Sequence, residues 1–167
     1  MLGGVSGVDA SKVVIIGGGV VGTHAAHIAI GMGADVWVLD NSVNSLRRLW
    51  TQFDRALHTV FSTRIAVERH VREADLLIGG VLIPGAAAPK LVTREMIATM
   101  ELGSVVVDVA IDQGGCFETS RAITHSEPTF CVDDVVHYCV ANIPGGRAAH
   151  VDLCLEQCNL ASSSALV

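Results

Sequence analysis

Positive charge is scarce in this sequence. Eleven lysines and arginines stand against 17 aspartates and glutamates, so the formal net charge is −6, and the isoelectric point is about 5.5. Proteins that bind nucleic acid neutralise phosphates with basic side chains, and acidic lipid surfaces attract basic segments. The charge balance therefore predicts no nucleic-acid partner and no attraction to an acidic membrane surface.

The chain also lacks a long uninterrupted apolar run. Half of its 167 residues are apolar and the mean hydropathy is +0.50, yet its most apolar stretch, residues 13–40, is broken by His24, His27 and six glycines. A membrane-spanning helix needs about 20 consecutive apolar residues. The start of the chain also shows no basic leader with an apolar segment and a small-residue cleavage site. We predict no membrane span and no secretory signal, and expect a soluble cytoplasmic protein.

Cysteine pairs of the metal-binding kind are missing. There is no CxxC, and no histidine stands at a zinc-ligand spacing from the thiols. An odd number of cysteines in a cytoplasmic chain predicts reduced, mostly buried side chains and no metal site. The cysteines are Cys116, Cys131, Cys139, Cys154 and Cys158.

What the sequence does contain is a regular alternation of β-branched runs and helical stretches. Residues 13–16 have the pattern of a strand buried on both faces of a parallel sheet, and residues 20–33 follow a helical period that Gly33 ends. The stripe predicted to be buried on that helix consists of Val21, Ala25, Ile28 and Met32.

The alternation continues along the chain. Further strands are predicted at 36–39, 58–61, 74–79 and 103–109, and further helices at 64–73, 93–100 and from a cap at Asn41 or Ser42 to Phe53. Strands separated by helices imply right-handed crossovers. We therefore predict an α/β fold with a Rossmann-type doubly wound parallel sheet, formed by one domain.

A glycine motif lies at the junction of the first strand and the first helix. Residues 17–22, GGGVVG, fit G-x-G-x-x-G, in which Gly17 permits a tight turn, Gly19 lets the backbone approach a diphosphate, and Gly22 lets helix and strand pack closely. Glycines also serve ordinary turns. The position of this motif after a strand and before a helix favours dinucleotide binding.

Asp40 ends the next predicted strand. It stands at the distance expected for an acid that hydrogen-bonds the adenosine ribose, where a carboxylate would repel the extra phosphate of NADP. The alternative is an aspartate that only caps the following helix. Together with the glycine motif, Asp40 indicates NAD as the cofactor.

Two later loops follow predicted strands. Residues 81–85 come after the fourth strand, where ligands collect in open α/β sheets, although they could form a packing loop. Residues 107–118, VDVAIDQGGCFE, combine a strand end with a polar, glycine-rich turn. Asp112 is the acid that we place near reacting atoms.

Four stretches together resemble the NAD-binding domain of bacterial alanine dehydrogenases. They are GGGVVGTHAAHIAIGMGADVWVLD, ADLLIGGVLIPGAAAPKLVT, VVVDVAIDQGGCFETSR and HYCVANIPG. The resemblance covers residues 1 to about 145, and IDQGGCFE distinguishes it from the related proton-translocating transhydrogenases. Gly18 departs from the family, which often has alanine there.

The resemblance implies a role for each matching residue. Gly17, Gly19 and Gly22 would hold the diphosphate and Asp40 the adenosine ribose. Ser62 and Val81 would flank the adenosine, while Val140, Asn142 and Ile143 would lie by the nicotinamide. Asp112 matches the family's active-site aspartate, and Arg121 the arginine shortly after it.

The resemblance also implies a reaction. Family members, commonly hexamers, oxidise L-alanine to pyruvate and ammonia with NAD, through an imino acid that water attacks. They use an arginine, a lysine and a histidine from a catalytic domain on either side of the NAD-binding segment. We expect that catalytic domain to be missing from this chain, whose histidines are predicted to be surface or packing residues.

Residues 146–167 no longer resemble the family and are predicted to be an aberrant tail. Codons for HVDLCLEQCNLA can be chosen that read TSTYALSNATLP after a shift of one base, close to the family's continuation. A frameshift near codon 146 would explain this. The alternative is a genuine C-terminal helix, since Val151, Cys154, Leu155 and Cys158 recur at helical spacing.

Three functions remain open at this point. The chain is the NAD-binding part of an L-alanine dehydrogenase, a module that binds NAD without turnover, or a partner completed in trans by other segments. We expect NAD binding and no turnover by the chain alone, because substrate positioning and proton transfer need the catalytic domain.

Overall fold

The structure is a computed structural model that describes residues 2–81, 89–124 and 126–141. Seven strands and four α-helices lie in these residues. The strands are β1 (Lys12–Ile16), β2 (Asp35–Asp40), β3 (His58–Phe61), β4 (Leu76–Gly79), β5 (Val105–Asp108), β6 (Phe130–Val132) and β7 (Val135–Tyr138). The helices are α1 (Val20–Gly31), α2 (Val43–Phe53), α3 (Arg64–Arg72) and α4 (Arg94–Ile97).

All seven strands form one sheet in the order β3-β2-β1-β4-β5-β7-β6. Every neighbouring pair is parallel except β6 and β7, which are antiparallel. The order reverses between β1 and β4, which creates the crevice where ligands bind in doubly wound sheets. The predicted α/β fold and its Rossmann-type winding are confirmed, with one antiparallel strand added at an edge.

Helices cover both faces of the sheet. Successive side chains of a strand point to opposite faces, so a continuously apolar strand makes both faces apolar and in need of cover. In β1, Val13 and Ile15 pack with residues of α1 and α2, whereas Val14 and Ile16 pack with residues of α3 and α4. All four side chains are at most 1% exposed. The continuous apolar run of β1 therefore reflects its place at the centre of two cores.

The buried face of α1 differs from the predicted stripe. The helix buries Gly22, Ala26 and Ala29, while Ile28 and Met32 are 63% and 54% exposed. Apolar residues surround this helix, so its hydrophobic period does not select one face. The close approach of α1 to the sheet selects the small residues instead, and the predicted stripe was wrong.

The β6–β7 hairpin was missed from the sequence. Its two-residue turn consists of Asp133 and Asp134, whose φ angles are 51° and 62°. Positive φ at both central positions is the geometry that tight hairpins favour, and aspartate tolerates it better than most residues. The Asp-Asp pair between two β-rich runs was a usable signal.

Helix caps follow the predicted chemistry. Ser42 is the N-cap of α2 and its hydroxyl accepts a hydrogen bond from the Ser45 amide at 3.3 Å. Gly33 follows the end of α1 with φ of +79°, the left-handed conformation that glycine adopts after helices. Strand positions were predicted to within two residues at either end, whereas α4 is shorter than expected.

Candidate functional site

A cavity of about 470 Å³ opens at the carboxyl ends of β1 and β4. It lies at the crevice that the strand order creates, and the glycine turn, the end of β2 and the residues after β3 and β4 form its walls. Its lining residues in the described part of the chain are Ile16, Gly17, Gly19, Val20, Val21, Leu39, Asp40, Asn41, Ser45, Ser62, Gly80, Val81, Pro89 and Leu91.

The three motif glycines meet three different requirements. Gly17 has φ of +103°, and a Cβ there would lie 2.9 Å from Val81 Cγ2. A Cβ on Gly22 would lie only 1.8 Å from the Gly17 carbonyl oxygen, so α1 can pack this closely only without a side chain. A Cβ on Gly19 would have no atom within 4 Å. Gly19 therefore borders open space where the backbone is accessible to a ligand.

The amino terminus of α1 faces this open space. Gly19 is the N-cap, no side chain caps the helix, and the first turn contains no acidic residue. The Thr23 amide makes the first intrahelical bond, to the Gly19 carbonyl at 2.9 Å, so the preceding amides have no acceptor within the helix. Val20 and Val21 line the cavity. Free amides and the positive end of the helix dipole have the chemistry that an anion such as a diphosphate requires.

The carboxylate of Asp40 rests directly on the glycine turn. Oδ2 accepts the amide hydrogen of Gly18 at 2.6 Å, and Oδ1 accepts that of Ser42 at 2.6 Å. The Asp40 carbonyl accepts the Ser62 amide at 3.0 Å, which brings Ser62 to the same wall. Each carboxylate oxygen keeps further acceptor capacity. Asp40 is thus oriented by two amides and still able to accept the hydroxyls of a sugar.

Comparison with known proteins agrees with this geometry. The family described as "Alanine dehydrogenase/PNT, C-terminal domain" matches residues 1–165. The chain belongs to this family. It is 60% identical over 148 residues to the alanine dehydrogenase of Halomonas elongata, and 54% identical over 145 residues to that of Mycolicibacterium smegmatis. These alignments cover 89% and 87% of this chain.

Solved structures give the same result. An L-alanine dehydrogenase superposes with a TM-score of 0.84 at 49% identity, over 94% of this chain and 42% of that one. The transhydrogenase of Sinorhizobium meliloti superposes with a TM-score of 0.73 at 32% identity, over 93% of this chain and 44% of that one. The chain spans about 40% of the length of the relatives that it matches.

In this member of the alanine dehydrogenase/PNT family, the residues predicted for the adenosine side come together. Gly17, Gly19, Asp40, Ser62 and Val81 all line the cavity, and Gly22 packs α1 beneath it. The sequence predicted that the glycine motif and Asp40 hold neighbouring parts of one dinucleotide, which requires the carboxylate of Asp40 to lie near the glycine turn. The 2.6 Å contact between Asp40 Oδ2 and the Gly18 nitrogen meets that expectation.

The residues predicted for the nicotinamide side are more dispersed. Asp112 is exposed on a 3₁₀ turn after β5, and Arg121 lies 4.2 Å from the ring of Phe130. Val140 is fully buried beyond the end of β7. Among the described residues, none of these three lines the glycine cavity. Asn142 and Ile143 lie outside the described residues, as does the predicted tail at 146–167.

One buried carboxylate was not singled out from the sequence. Asp108, at the end of β5, is fully buried, and its Oδ2 accepts hydrogen bonds from the Cys116 amide at 2.8 Å and the Ser120 hydroxyl at 2.5 Å. Its Oδ1 accepts the Ala110 amide at 3.1 Å. Asp108 therefore fixes the loop that carries Asp112. In the sequence, the position of Asp108 as a charged residue at the end of an apolar strand was the feature that could have indicated this role.

The surroundings of Asp108 hold other titratable groups. Burial, with the Asp108 charge as a smaller cause, raises the pKa of the Cys116 thiol to about 11. Cys116 is therefore protonated at neutral pH and suited to packing. Cys116 and Cys139 are free and buried, as predicted, whereas Cys131 is exposed and disulfide-bonded, so the prediction of reduced cysteines is wrong at that position. Burial also lowers the pKa of His137, whose Nε2 lies 2.8 Å from the Thr119 hydroxyl.

Across ranges 2–81, 89–124 and 126–141, no group of three histidine, cysteine, aspartate or glutamate side chains is placed to hold a metal ion. None of the helices in those ranges has the length and hydropathy required of a membrane span.

Proposed function

We propose that this chain binds NAD and is the dinucleotide-binding part of an L-alanine dehydrogenase, which converts L-alanine, NAD and water to pyruvate, ammonia and NADH. Family membership and the relatives named alanine dehydrogenase support the reaction. One observation carries the cofactor: Asp40 Oδ2 lies 2.6 Å from the Gly18 nitrogen, so the sugar-binding acid and the diphosphate turn share one cavity.

The described residues fit the adenosine diphosphate half of NAD. The free amides at the start of α1 bind the diphosphate, for which Gly19 leaves open space. Asp40 accepts the ribose hydroxyls, and its negative charge disfavours the additional phosphate of NADP. Ser62 and Val81 enclose the adenosine from the ends of β3 and β4.

The nicotinamide half extends from β4 toward β5 and β7. When bound, NAD supplies an acceptor for the hydride of L-alanine. We assign Asp112 to proton transfer at the reacting centre, and Arg121, Val140, Asn142 and Ile143 to the surroundings of the nicotinamide. The loop bonds of Asp108 support this assignment, because they hold the turn of Asp112 at the carboxyl edge of the sheet.

The remaining proposals follow from the same family assignment. They are a homo-oligomer, a hexamer in the intact enzyme, and a cytoplasmic location. They also include a frameshifted origin for residues 146–167.

A transhydrogenase-like dinucleotide module is the second candidate. The superposition on the Sinorhizobium meliloti transhydrogenase, with a TM-score of 0.73, supports it. The sequence stretch IDQGGCFE at residues 111–118 favours the dehydrogenase.

Calorimetric titration of the purified chain with NADH tests the cofactor. We expect binding by the wild type, and a loss of about tenfold or more in Asp40→Ala, the effect of removing a hydrogen bond to a charged group. Asp9→Ala is the matched control, because Asp9 is exposed on the segment before β1. Equal affinity in Asp40→Ala and the wild type would contradict the proposed site.

The reaction needs a separate measurement. An increase in NADH absorbance on adding L-alanine and NAD tests dehydrogenase turnover directly. We expect no such increase from this chain alone, because substrate positioning and proton transfer need the catalytic domain. Turnover of L-alanine by this chain alone would contradict that expectation.

A further inference from the structure

Residue 18, in the middle of the glycine turn, is held at both of its backbone polar groups. Its amide donates to Asp40 Oδ2 at 2.6 Å, and its carbonyl accepts a hydrogen bond from Arg48 Nη2 at 2.7 Å. Gly18 is buried, although the next residue in the turn, Gly19, is exposed. The turn is therefore anchored from outside, by side chains that come from another part of the fold.

The anchors come from β2 and α2, which follow the glycine turn in sequence. Asp40 ends β2, and Arg48 lies in the second turn of α2, 30 residues after Gly18. Leu49 closes the same region, since a Cβ on residue 18 would lie 2.9 Å from Leu49 Cδ1. The hydrogen bond from Arg48 therefore joins α2 to the glycine turn, which is the proposed binding site of the diphosphate.

A glycine turn needs such an anchor. Three consecutive glycines have more accessible backbone conformations than any other tripeptide, so a free turn loses much entropy when it closes around a ligand. A turn that is already held in the bound shape avoids part of that loss and binds more tightly. Arg48 can supply this effect without touching the ligand, and it is not among the described residues that line the cavity.

We propose that Arg48 is a positioning residue for the dinucleotide, which holds the Gly18 carbonyl while Asp40 holds the Gly18 amide, and so fixes the diphosphate turn before the ligand arrives. This inference rests on the proposed binding of NAD. It gives α2 a role in recognition that the G-x-G-x-x-G motif and its ribose-binding acid do not include.

The chain offers a matched control for the charge of Arg48. Arg47 is the preceding residue of the same helix, is exposed, and carries the same charge. A general attraction between α2 and an anionic ligand would depend on both arginines. Positioning of the turn through the Gly18 carbonyl would instead depend on Arg48 and not on Arg47.

The experiment titrates NADH, ADP-ribose and adenosine into the wild type, Arg48→Gln and Arg47→Gln. We expect Arg48→Gln to weaken NADH and ADP-ribose by about five- to tenfold, as for the loss of one hydrogen bond. Adenosine, which has no diphosphate, and all ligands of Arg47→Gln should stay within about twofold of the wild type. Arg48→Lys, which retains a donor on a flexible stem, should recover part of the lost affinity.

Three results would overturn the proposal. They are unchanged NADH affinity in Arg48→Gln, equal losses in Arg47→Gln and Arg48→Gln, and a loss of adenosine affinity in proportion to that of NADH. Circular dichroism checks the fold, and Arg48→Met, which keeps an apolar stem, replaces Arg48→Gln if that variant does not fold. If the wild type binds none of the three ligands, the proposed function itself fails, whereas binding with insensitive variants removes only the role of Arg48.

Discussion

Replacing Gly22 with alanine tests the packing that brings α1 onto the sheet. Gly22 lies in the first turn of α1, and its Cβ would stand 1.8 Å from the carbonyl oxygen of Gly17. Real contacts of this kind are essentially never shorter than 3.0 Å, so the helix or the turn must move by more than an ångström. The carbonyl oxygen is a backbone atom and the backbone fixes the position of the Cβ, so neither atom can rotate away as the end of a flexible side chain can.

Two opposing effects determine how much Gly22→Ala changes the free energy of unfolding. Alanine favours a helix over glycine by about 0.8–1.0 kcal/mol, and this effect alone would stabilise the variant. Overpacking of a close contact costs typically about 1–3 kcal/mol, and the severity of this contact places it toward the upper end. We expect a net destabilisation of about 1–2 kcal/mol, which corresponds to a decrease in Tm of roughly 2–8 °C for a domain of this size.

Gly31→Ala is the matched control in the same helix. A Cβ on Gly31, the last residue of α1, would meet no atom within 4 Å. Only the propensity effect remains there, so Gly31→Ala should stabilise the chain by up to about 1 kcal/mol. Urea denaturation followed by circular dichroism measures both variants against the wild type.

The two variants should change the free energy of unfolding in opposite directions. Gly22→Ala should lower the free energy of unfolding and weaken NADH binding, while Gly31→Ala should raise the free energy of unfolding and leave NADH binding unchanged. Increased stability of both variants would refute the close contact between α1 and the turn. The role of Gly22 in the site would then be lost as well.

Two further predictions concern the loop after β5 and His137 of strand β7. Asp108→Asn replaces a carboxylate that accepts three hydrogen bonds, so it should destabilise the chain by about 1–3 kcal/mol in urea, whereas Asp112→Asn, at an exposed position, should change stability by less than about 0.5 kcal/mol. Equal effects would contradict the anchoring role of Asp108. Burial is the main cause that lowers the pKa of His137. The hydrogen bond with the Val135 carbonyl and the charges of Asp108 and Asp133 raise this pKa in part, and the charge of Arg121 lowers it further. A lowered pKa means that the unfolded chain takes up the proton first, so stability is full above pH 6.5 and decreases as the pH falls through the pKa of the folded state. His137→Gln should reduce this loss in unfolding experiments between about pH 7 and pH 5, and an unchanged pH profile would show that His137 does not cause it.

Much of the fold could be predicted because its signals are local. The run at residues 13–16 predicted a strand buried on both faces, and the structure places β1 at the centre of the sheet. The spacing from the glycine motif to Asp40 predicted the adenosine side, because a strand and a helix of ordinary length bring those residues to the same edge. The hairpin of β6 and β7 carried a local signal in Asp133 and Asp134 that the sequence reasoning did not use.

The partners of individual side chains could not be predicted in this way. Ile28 and Met32 belong to an apolar helix whose period favours no face, so only the approach of α1 to the sheet decided that Ala26 and Ala29 are buried. Arg48 bonds to the carbonyl of Gly18, 30 residues away, and Asp108 bonds to the amide of Cys116 across the loop after β5. No sequence motif connects the residues of either pair.

The sequence by itself determined the order of strands and helices, the glycine turn and the acid that belongs to it. These features follow from the conformational preferences of short segments and from regular spacing. The tertiary structure alone decided which helix face is buried, which carboxylate holds the loop after β5, and that α2 contributes Arg48 to the turn. Such contacts join separate segments of the fold, and they exist only after the sheet has brought those segments together.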